Sequence, residues 1–174
     1  RETAPALLDL TTLQREANKR FGFSARRTLS AAQSLYEQHK LLTYPRTDSK
    51  ALPEDYRPFV KQSIEFLAGQ KGLADHAKRL LSDGLSNEGR NFNNKAVSDH
   101  FAIIPTGEGN ASKLRGDEGK IFDLVARRFL ASFHPPAEYA EVDRTTMIEE
   151  EHFRTRRKVL TTPGWRAVWD SGKD

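Results

Sequence analysis

The chain has 174 residues, of which 37% are apolar, and its 28 Lys and Arg residues outnumber its 24 Asp and Glu residues, so the formal net charge is +4. It contains no cysteine, which excludes disulfides and thiolate metal sites within these residues and is compatible with an intracellular location. No apolar run reaches the length of a membrane span and no signal peptide is visible. The length favours one domain, or one domain and part of another, and the net positive charge favours an anionic partner.

The first predicted helix follows an extended leading segment over residues 1–10. Thr11 and Gln14 have the spacing of a capping box, so the helix should begin immediately after Thr11. Gly22 should end it, because glycine readily adopts the left-handed conformation that closes many helices.

A second helix is predicted over residues 25–39, with Ser24 as its N-cap. Two helices joined by a glycine turn outline a helix-turn-helix. Residues 15–50 hold eight basic side chains and three acidic ones, so the positive charge is concentrated here. Arg26 and Arg27 lie beside the turn and are candidate DNA-binding residues. The alternative is that they belong to a solvated basic face.

Residues 41–49, Leu-Leu-Thr-Tyr-Pro-Arg-Thr-Asp-Ser, place a phenol, a guanidinium, a carboxylate and three more hydroxyls behind an apolar lead-in. Pro45 disfavours helix at Tyr44, so the segment should be extended. In an extended chain Tyr44, Arg46 and Asp48 project from one face, which places a candidate nucleophile beside a fixed positive charge. Two alternatives remain open: the tyrosine packs the loop, and the arginine forms a surface ion pair.

The middle of the chain is predicted to be mainly helical. Pro58 complicates the start of the third helix, and Arg127 should face outward on the last and strongest one. The expected elements are helices over residues 53–67, 74–82 and 121–133, a surface loop over residues 83–95, and an apolar run over residues 96–106.

The pattern changes to β-structure after Pro135 and Pro136. Strands are predicted over residues 139–148 and 153–161, with the three glutamates between them as the turn. Trp165 and Trp169 are expected to anchor these strands. The fold class is therefore mainly α, or α+β.

Residues 42–49 resemble the active-site tyrosine segment of type IA DNA topoisomerases, especially the topoisomerase III branch. Three more blocks resemble that family in the same order. They are Ala-Gln-Ser-Leu-Tyr-Glu at residues 32–37, Ser-Asp-His-Phe-Ala-Ile-Ile-Pro-Thr at residues 98–106, and residues 122–131. Together the four blocks span most of residues 7–169.

The resemblance implies a winged-helix-like, helix-rich domain over residues 11–137 that carries the active-site tyrosine. It also implies that residues 138–174 begin a second, β-rich arch domain.

The resemblance also implies a reaction. Tyr44 would attack a phosphodiester of single-stranded DNA, form a 5′-phosphotyrosyl bond and release a 3′-hydroxyl, and reversal after strand passage would reseal the DNA. Arg46 is the second catalytic candidate, because a guanidinium favours the phenolate and binds the charge that develops on the phosphate.

Further residues are candidate DNA contacts. His100 would donate a hydrogen bond to a phosphate, although a lone histidine is more often structural. Phe101 stands where many relatives carry histidine or another polar residue, so His100 alone is carried over. Gln33, Thr47 and Ser49 have side chains suited to contacting the DNA backbone.

Family members hold magnesium in a Toprim domain, which has no counterpart here. Asp99, Asp117 and Glu118, and the acids at residues 149–151 stand in other sequence contexts, so no metal site is expected in this chain. The expected partners are single-stranded DNA and the Toprim-containing domains of the same polypeptide, with no membrane contact. Since the chain starts with Arg1, we interpret it as a fragment, inactive alone, of a cytoplasmic, nucleoid-associated enzyme.

Two alternatives belong to other functional classes. One is a non-catalytic winged-helix module that binds duplex DNA, in which Tyr44 only packs. The other is a protein-interaction fragment whose basic face is incidental. Affinity for DNA that falls steeply with salt would separate them.

Overall fold

The computed structural model describes residues 1–172 as a helical body from which one β-hairpin projects. The mainly α, α+β class is confirmed, whereas the winged-helix likeness and the division at residues 10 and 137 stay predictions. The helices are α1 (Leu10–Phe21), α2 (Ala25–Glu37), α3 (Arg57–Leu67), α4 (Ala74–Asp83), α5 (Glu88–Asn91), α6 (Gly116–Ser132) and α7 (Arg166–Trp169), and the strands are β1 (Glu138–Ile148) and β2 (Glu151–Thr162).

Helix α6 is the centre of the body and packs against α1, α2, α4 and α7. Its second half is buried on every side, which fits its apolar sequence. Arg127 was expected to face outward, and this was wrong. Its guanidinium is buried beneath α7, where it donates to Asp123 Oδ2 at 2.8 Å and to Ser171 Oγ at 2.8 Å.

Helices α1 and α2 form the predicted pair around Gly22, whose φ of 70° explains the glycine. The start of α1 was misplaced, because Asp9 is the N-cap and its carboxylate accepts from Thr12 N at 2.8 Å. The predicted cap of α2 is confirmed, since Ser24 Oγ accepts from Arg27 N at 3.1 Å. Both helices bury one face against the body.

Residues 83–95 are more ordered than the predicted loop, because they contain α5 and a short 3₁₀ turn. Asn91 is fully buried and donates to Ser132 O at 3.0 Å. Pro58 occupies the first turn of α3, where its missing N–H leaves no intrahelical bond unmade.

Strands β1 and β2 pair in antiparallel register, and beyond Tyr139 both are exposed along their length. We had expected Trp165 and Trp169 to anchor this hairpin, and this was wrong. They lie 6% and 7% exposed in the main core, and the Trp165 indole donates to Glu2 O at 3.0 Å. In residues 1–172 no helix is long and apolar enough to cross a membrane.

Candidate active site

The tyrosine segment is extended, and its side chains alternate between the protein interior and the surface. Tyr44 is half-buried, while Arg46 and Asp48 are exposed, in agreement with the shared outer face predicted from the period of two. The side chains between them are buried, namely Thr43, Pro45, Thr47 and Ser49.

Thr43 fastens the tyrosine segment to the chain that carries the histidine. Its N–H donates to Ile104 O at 3.0 Å, its hydroxyl donates to Ala102 O at 3.0 Å, and the same hydroxyl accepts from Ile104 N at 2.9 Å. Sequence reasoning missed this residue. The signal was a hydroxyl side chain on the inner face directly before Tyr44.

Three rings meet at Tyr44. The His100 ring lies 4.3 Å from the Tyr44 ring, centroid to centroid, with 33° between the planes. The Tyr36 ring, from the last turn of α2, lies 5.4 Å away at 79°. Two of the resemblance blocks therefore place aromatic side chains directly on the proposed nucleophile.

Thr47 and Ser49 face inward, and their hydroxyls are engaged by the protein. Thr47 Oγ1 accepts from Ser49 N at 3.1 Å, and Ser49 Oγ donates to Ala96 O at 2.7 Å. Direct DNA contacts through these hydroxyls would require the bonds to break. In this structure both residues shape the loop instead.

Asp48 and Arg46 share a face but are not joined. Asp48 Oδ1 accepts from Ser98 Oγ at 3.4 Å rather than from Arg46. Among the described residues the Arg46 guanidinium has no hydrogen-bond or ion-pair partner, and it is exposed. Its donors are available to an external anion.

Arg46 also lines a groove of about 880 Å³ beside α2, together with Gln33, Arg26 and Arg27. The amide of Gln33 donates to Glu37 Oε1 at 2.7 Å, while its buried oxygen has no partner within residues 1–172. Arg26 is exposed. The groove lining includes neither Tyr44 nor His100. The predicted site residues therefore form two groups, one along the groove and one around Tyr44, and the tyrosine segment connects them because it carries both Arg46 and Tyr44.

Arg27 differs from Arg26 because an acidic partner holds it. Its guanidinium donates to both oxygens of Asp117 at 2.6 and 2.8 Å and lies 4.0 Å over the Phe23 ring. The hydrogen bonds raise the pKa of Arg27 and lower that of Asp117. Of the two arginines, Arg26 is therefore the one whose charge is uncompensated.

The acidic residues near the groove do not fit a magnesium site. Asp117 is held by Arg27, and Glu118 accepts from Ser34 Oγ at 2.9 Å and pairs with His39 Nε2 at 2.5 Å. Across the described part of the chain, no three His, Asp or Glu side chains are grouped to hold a metal ion.

Comparison with known proteins supports the family resemblance. The DNA topoisomerase family profile matches residues 1–174. The DNA topoisomerase 3 of Bacillus licheniformis is 49% identical over 168 residues, covering 96% of this chain and 23% of that protein. The DNA topoisomerase 3 of Bacillus subtilis is 46% identical over 172 residues, covering 98% of this chain and 24% of that protein. The chain thus spans only a minor part of these relatives.

A solved structure agrees with the sequence matches. The full-length topoisomerase I from Thermotoga maritima matches with a TM-score of 0.64 at 26% identity, covering 97% of this chain and 27% of that one. The chain therefore belongs to the DNA topoisomerase family, and the resemblance to type IA, topoisomerase III-like enzymes predicted from its sequence is confirmed.

Proposed function

We propose that this chain is the nucleophile-bearing part of a type IA DNA topoisomerase that cleaves and reseals single-stranded DNA. The observation that carries the proposal is the half-buried Tyr44 phenol on one face with the unpartnered Arg46 guanidinium. The Tyr44 phenol loses its proton, its oxygen attacks phosphorus, and the bond from phosphorus to the 3′-oxygen breaks. The leaving oxygen takes up a proton and becomes a 3′-hydroxyl, and the reverse attack restores the phosphodiester.

Arg46 supplies the electrostatic part of this reaction. A phenol has an ordinary pKa of about 10 and is a weak nucleophile near neutral pH. A guanidinium beside it favours the phenolate, and its fork binds two oxygens of a phosphate as charge spreads over them. Because Arg46 has no acidic partner among residues 1–172, its charge is not already neutralised.

His100 and the groove hold the DNA on either side of this step. His100 is exposed and stacks on Tyr44, so a ring nitrogen is within reach of a phosphate attacked by that tyrosine. Gln33 and Arg26 line the groove that Arg46 enters and would contact backbone phosphates without reading sequence. Thr47 and Ser49 act indirectly, through the loop conformation.

The catalytic metal belongs to another part of the protein in this proposal. Magnesium bound by carboxylates of the Toprim domain would neutralise phosphate charge, whereas Asp48, Asp117 and Glu118 of this chain are bonded to other side chains. The chain alone should bind single-stranded DNA yet cleave it poorly. Single-stranded DNA and the Toprim-containing part are its proposed partners.

The test uses a chimaera of the Bacillus subtilis DNA topoisomerase 3 in which this chain replaces the matched segment. With magnesium and a 3′-end-labelled single strand, we expect labelled protein that survives denaturation, because a 5′-phosphotyrosyl bond retains the 3′ part of the DNA. A 5′-end label should be released. Tyr44→Phe should abolish the adduct, and Tyr56→Phe, a half-buried tyrosine outside the site, should preserve it.

Two outcomes would contradict the proposal. An adduct that persists in Tyr44→Phe would assign the nucleophile to another residue. An absent adduct combined with salt-sensitive duplex binding would favour the non-catalytic DNA-binding module.

A further inference from the structure

We propose that Tyr36 is a positioning residue that holds the Tyr44 ring in its reactive orientation. The proposal rests on the function proposed above. Tyr36 is half-buried at the end of α2, and its ring centroid lies 5.4 Å from that of Tyr44 with an interplanar angle of 79°. This edge-to-face arrangement is one of the favoured geometries for aromatic pairs.

The end of α2 that carries Tyr36 is held in place by hydrogen bonds of the two preceding residues. Leu35 is fully buried, and its carbonyl accepts from Leu41 N at 2.9 Å, which turns the chain directly from α2 into the tyrosine segment. On the other side of α2, Ser34 donates to Glu118 at 2.9 Å. The helix end is therefore fixed to α6 and to the segment that it must orient.

The hydrogen bonds of Thr43 fix the backbone before Tyr44 but leave its side-chain torsions free. The two contacting rings restrict them. The His100 ring is tilted by 33° from the Tyr44 ring, and the Tyr36 ring is nearly perpendicular to it. Rotation about either side-chain bond would disrupt at least one of these contacts.

The Tyr36 ring, rather than its hydroxyl, makes this contribution. No hydrogen bond engages the Tyr36 hydroxyl within the described chain. Removing the ring would let Tyr44 populate rotamers that point away from the phosphate. The cleavage rate would then fall in proportion to the population of the reactive rotamer. We expect the cleavage rate to fall about ten-fold, because the loss of an aromatic pair or a small misplacement of a reacting group has an effect of that size.

The experiment compares Tyr36→Leu, Tyr36→Met and Tyr36→Phe in the chimaera described above. Single-turnover cleavage is measured at saturating single-stranded DNA, and the Kd is measured with each change combined with Tyr44→Phe. We expect cleavage by the Leu and Met variants to be about ten-fold slower than with Tyr36 intact, and cleavage by the Phe variant to stay within about two-fold of that rate. The Kd of every variant should also stay within about two-fold. Tyr56→Leu is the matched control, because Tyr56 also packs against two aromatic rings, those of Phe59 and Phe101, at interplanar angles of 55° and 52°.

Three results would overturn the proposal. Cleavage at the original rate in Leu and Met would show that the ring is dispensable. A Phe variant as slow as Leu would assign the effect to the hydroxyl, and a parallel change in Kd would make Tyr36 a DNA contact. Denaturation midpoints identify any unfolded variant, and the Phe comparison remains decisive if both aliphatic variants unfold. Since the chimaera with Tyr36 intact must form the Tyr44-dependent adduct, failure of the proposed function is seen separately.

Discussion

The His100 imidazole stacks on the Tyr44 phenol with 4.3 Å between ring centroids, although 56 positions in sequence separate the two residues. The contact is maintained by Thr43, whose hydroxyl bonds to the backbone at Ala102 and Ile104. The proposed nucleophile and the proposed phosphate ligand are thereby fixed to the same pair of extended segments.

The His100 contact predicts a difference between ring packing and hydrogen bonding. His100→Phe preserves a flat ring against Tyr44 but removes the nitrogen that would donate to phosphate. We expect cleavage in the chimaera to fall by about 100-fold in both His100→Phe and His100→Ala, because a hydrogen-bond donor to the reacting phosphate is lost in each. Single-turnover rates test this expectation, and near-normal cleavage by the Phe variant would reduce His100 to a packing residue.

Arg46 should not be replaceable by another cation. Its fork donates to two phosphate oxygens at once, whereas a lysine provides a mobile point charge. We expect Arg46→Lys to slow single-turnover cleavage by about 10-fold and Arg46→Ala by about 100-fold. Lys71→Ala, an exposed cation outside the groove, serves as the control. Equal rates for the Lys variant and the original chain would show that only charge matters.

The outer face of the tyrosine segment was accessible to sequence reasoning because it depends on local geometry. Pro45 favours extended backbone, and the period of two then separates Tyr44 and Arg46 from the buried Thr47. The DNA contact predicted for Thr47 stays a prediction, although the same period of two directs its side chain inward, where the hydroxyl accepts from Ser49 N.

The features that were missed depend on contacts between distant parts of the chain. Nothing near Arg127 in the sequence indicates that α7 will return after the hairpin and cover it. Trp169 likewise lies in the core because Arg20 packs over its indole at 3.7 Å, a contact across most of the chain. Such burial is a property of the tertiary fold and leaves no short-range pattern.

The groove predicts a salt signature for Arg26. This arginine is exposed and uncompensated, so it should neutralise one phosphate of single-stranded DNA and release counterions. We expect Arg26→Ala to reduce the slope of log affinity against log salt by about 0.7. Fluorescence anisotropy with a labelled single strand measures the slope, in the Tyr44→Phe background to prevent covalent capture. An unchanged slope would place Arg26 outside the DNA path.

Two glycines predict a contrast in stability. Gly84 and Gly164 both have positive φ, 89° and 52°, but only at Gly164 would a Cβ meet backbone, 2.4 Å from Pro136 O. We expect Gly84→Ala to lower the free energy of unfolding by about 1 kcal/mol through backbone strain alone. Gly164→Ala should lower it by roughly 3 kcal/mol or more, because the turn into α7 must also shift. Urea denaturation measures both, and equal losses would contradict the steric assignment.

Stability should depend on pH through His134, which is 2% exposed in the core. Its Nδ1 donates to Leu130 O at 2.8 Å, and its buried Nε2 has no partner among the described residues. Burial lowers the pKa of His134 below its ordinary value of 6.5, so the unfolded chain takes up a proton before the folded one. The free energy of unfolding should therefore be at its maximum above pH 6.5 and decrease as the pH falls toward the folded-state pKa.

His134→Leu should flatten this dependence in urea titrations between about pH 7.5 and pH 5. A residual slope is expected, because burial also lowers the pKa of neighbouring His76, whereas identical slopes in both proteins would contradict the assignment.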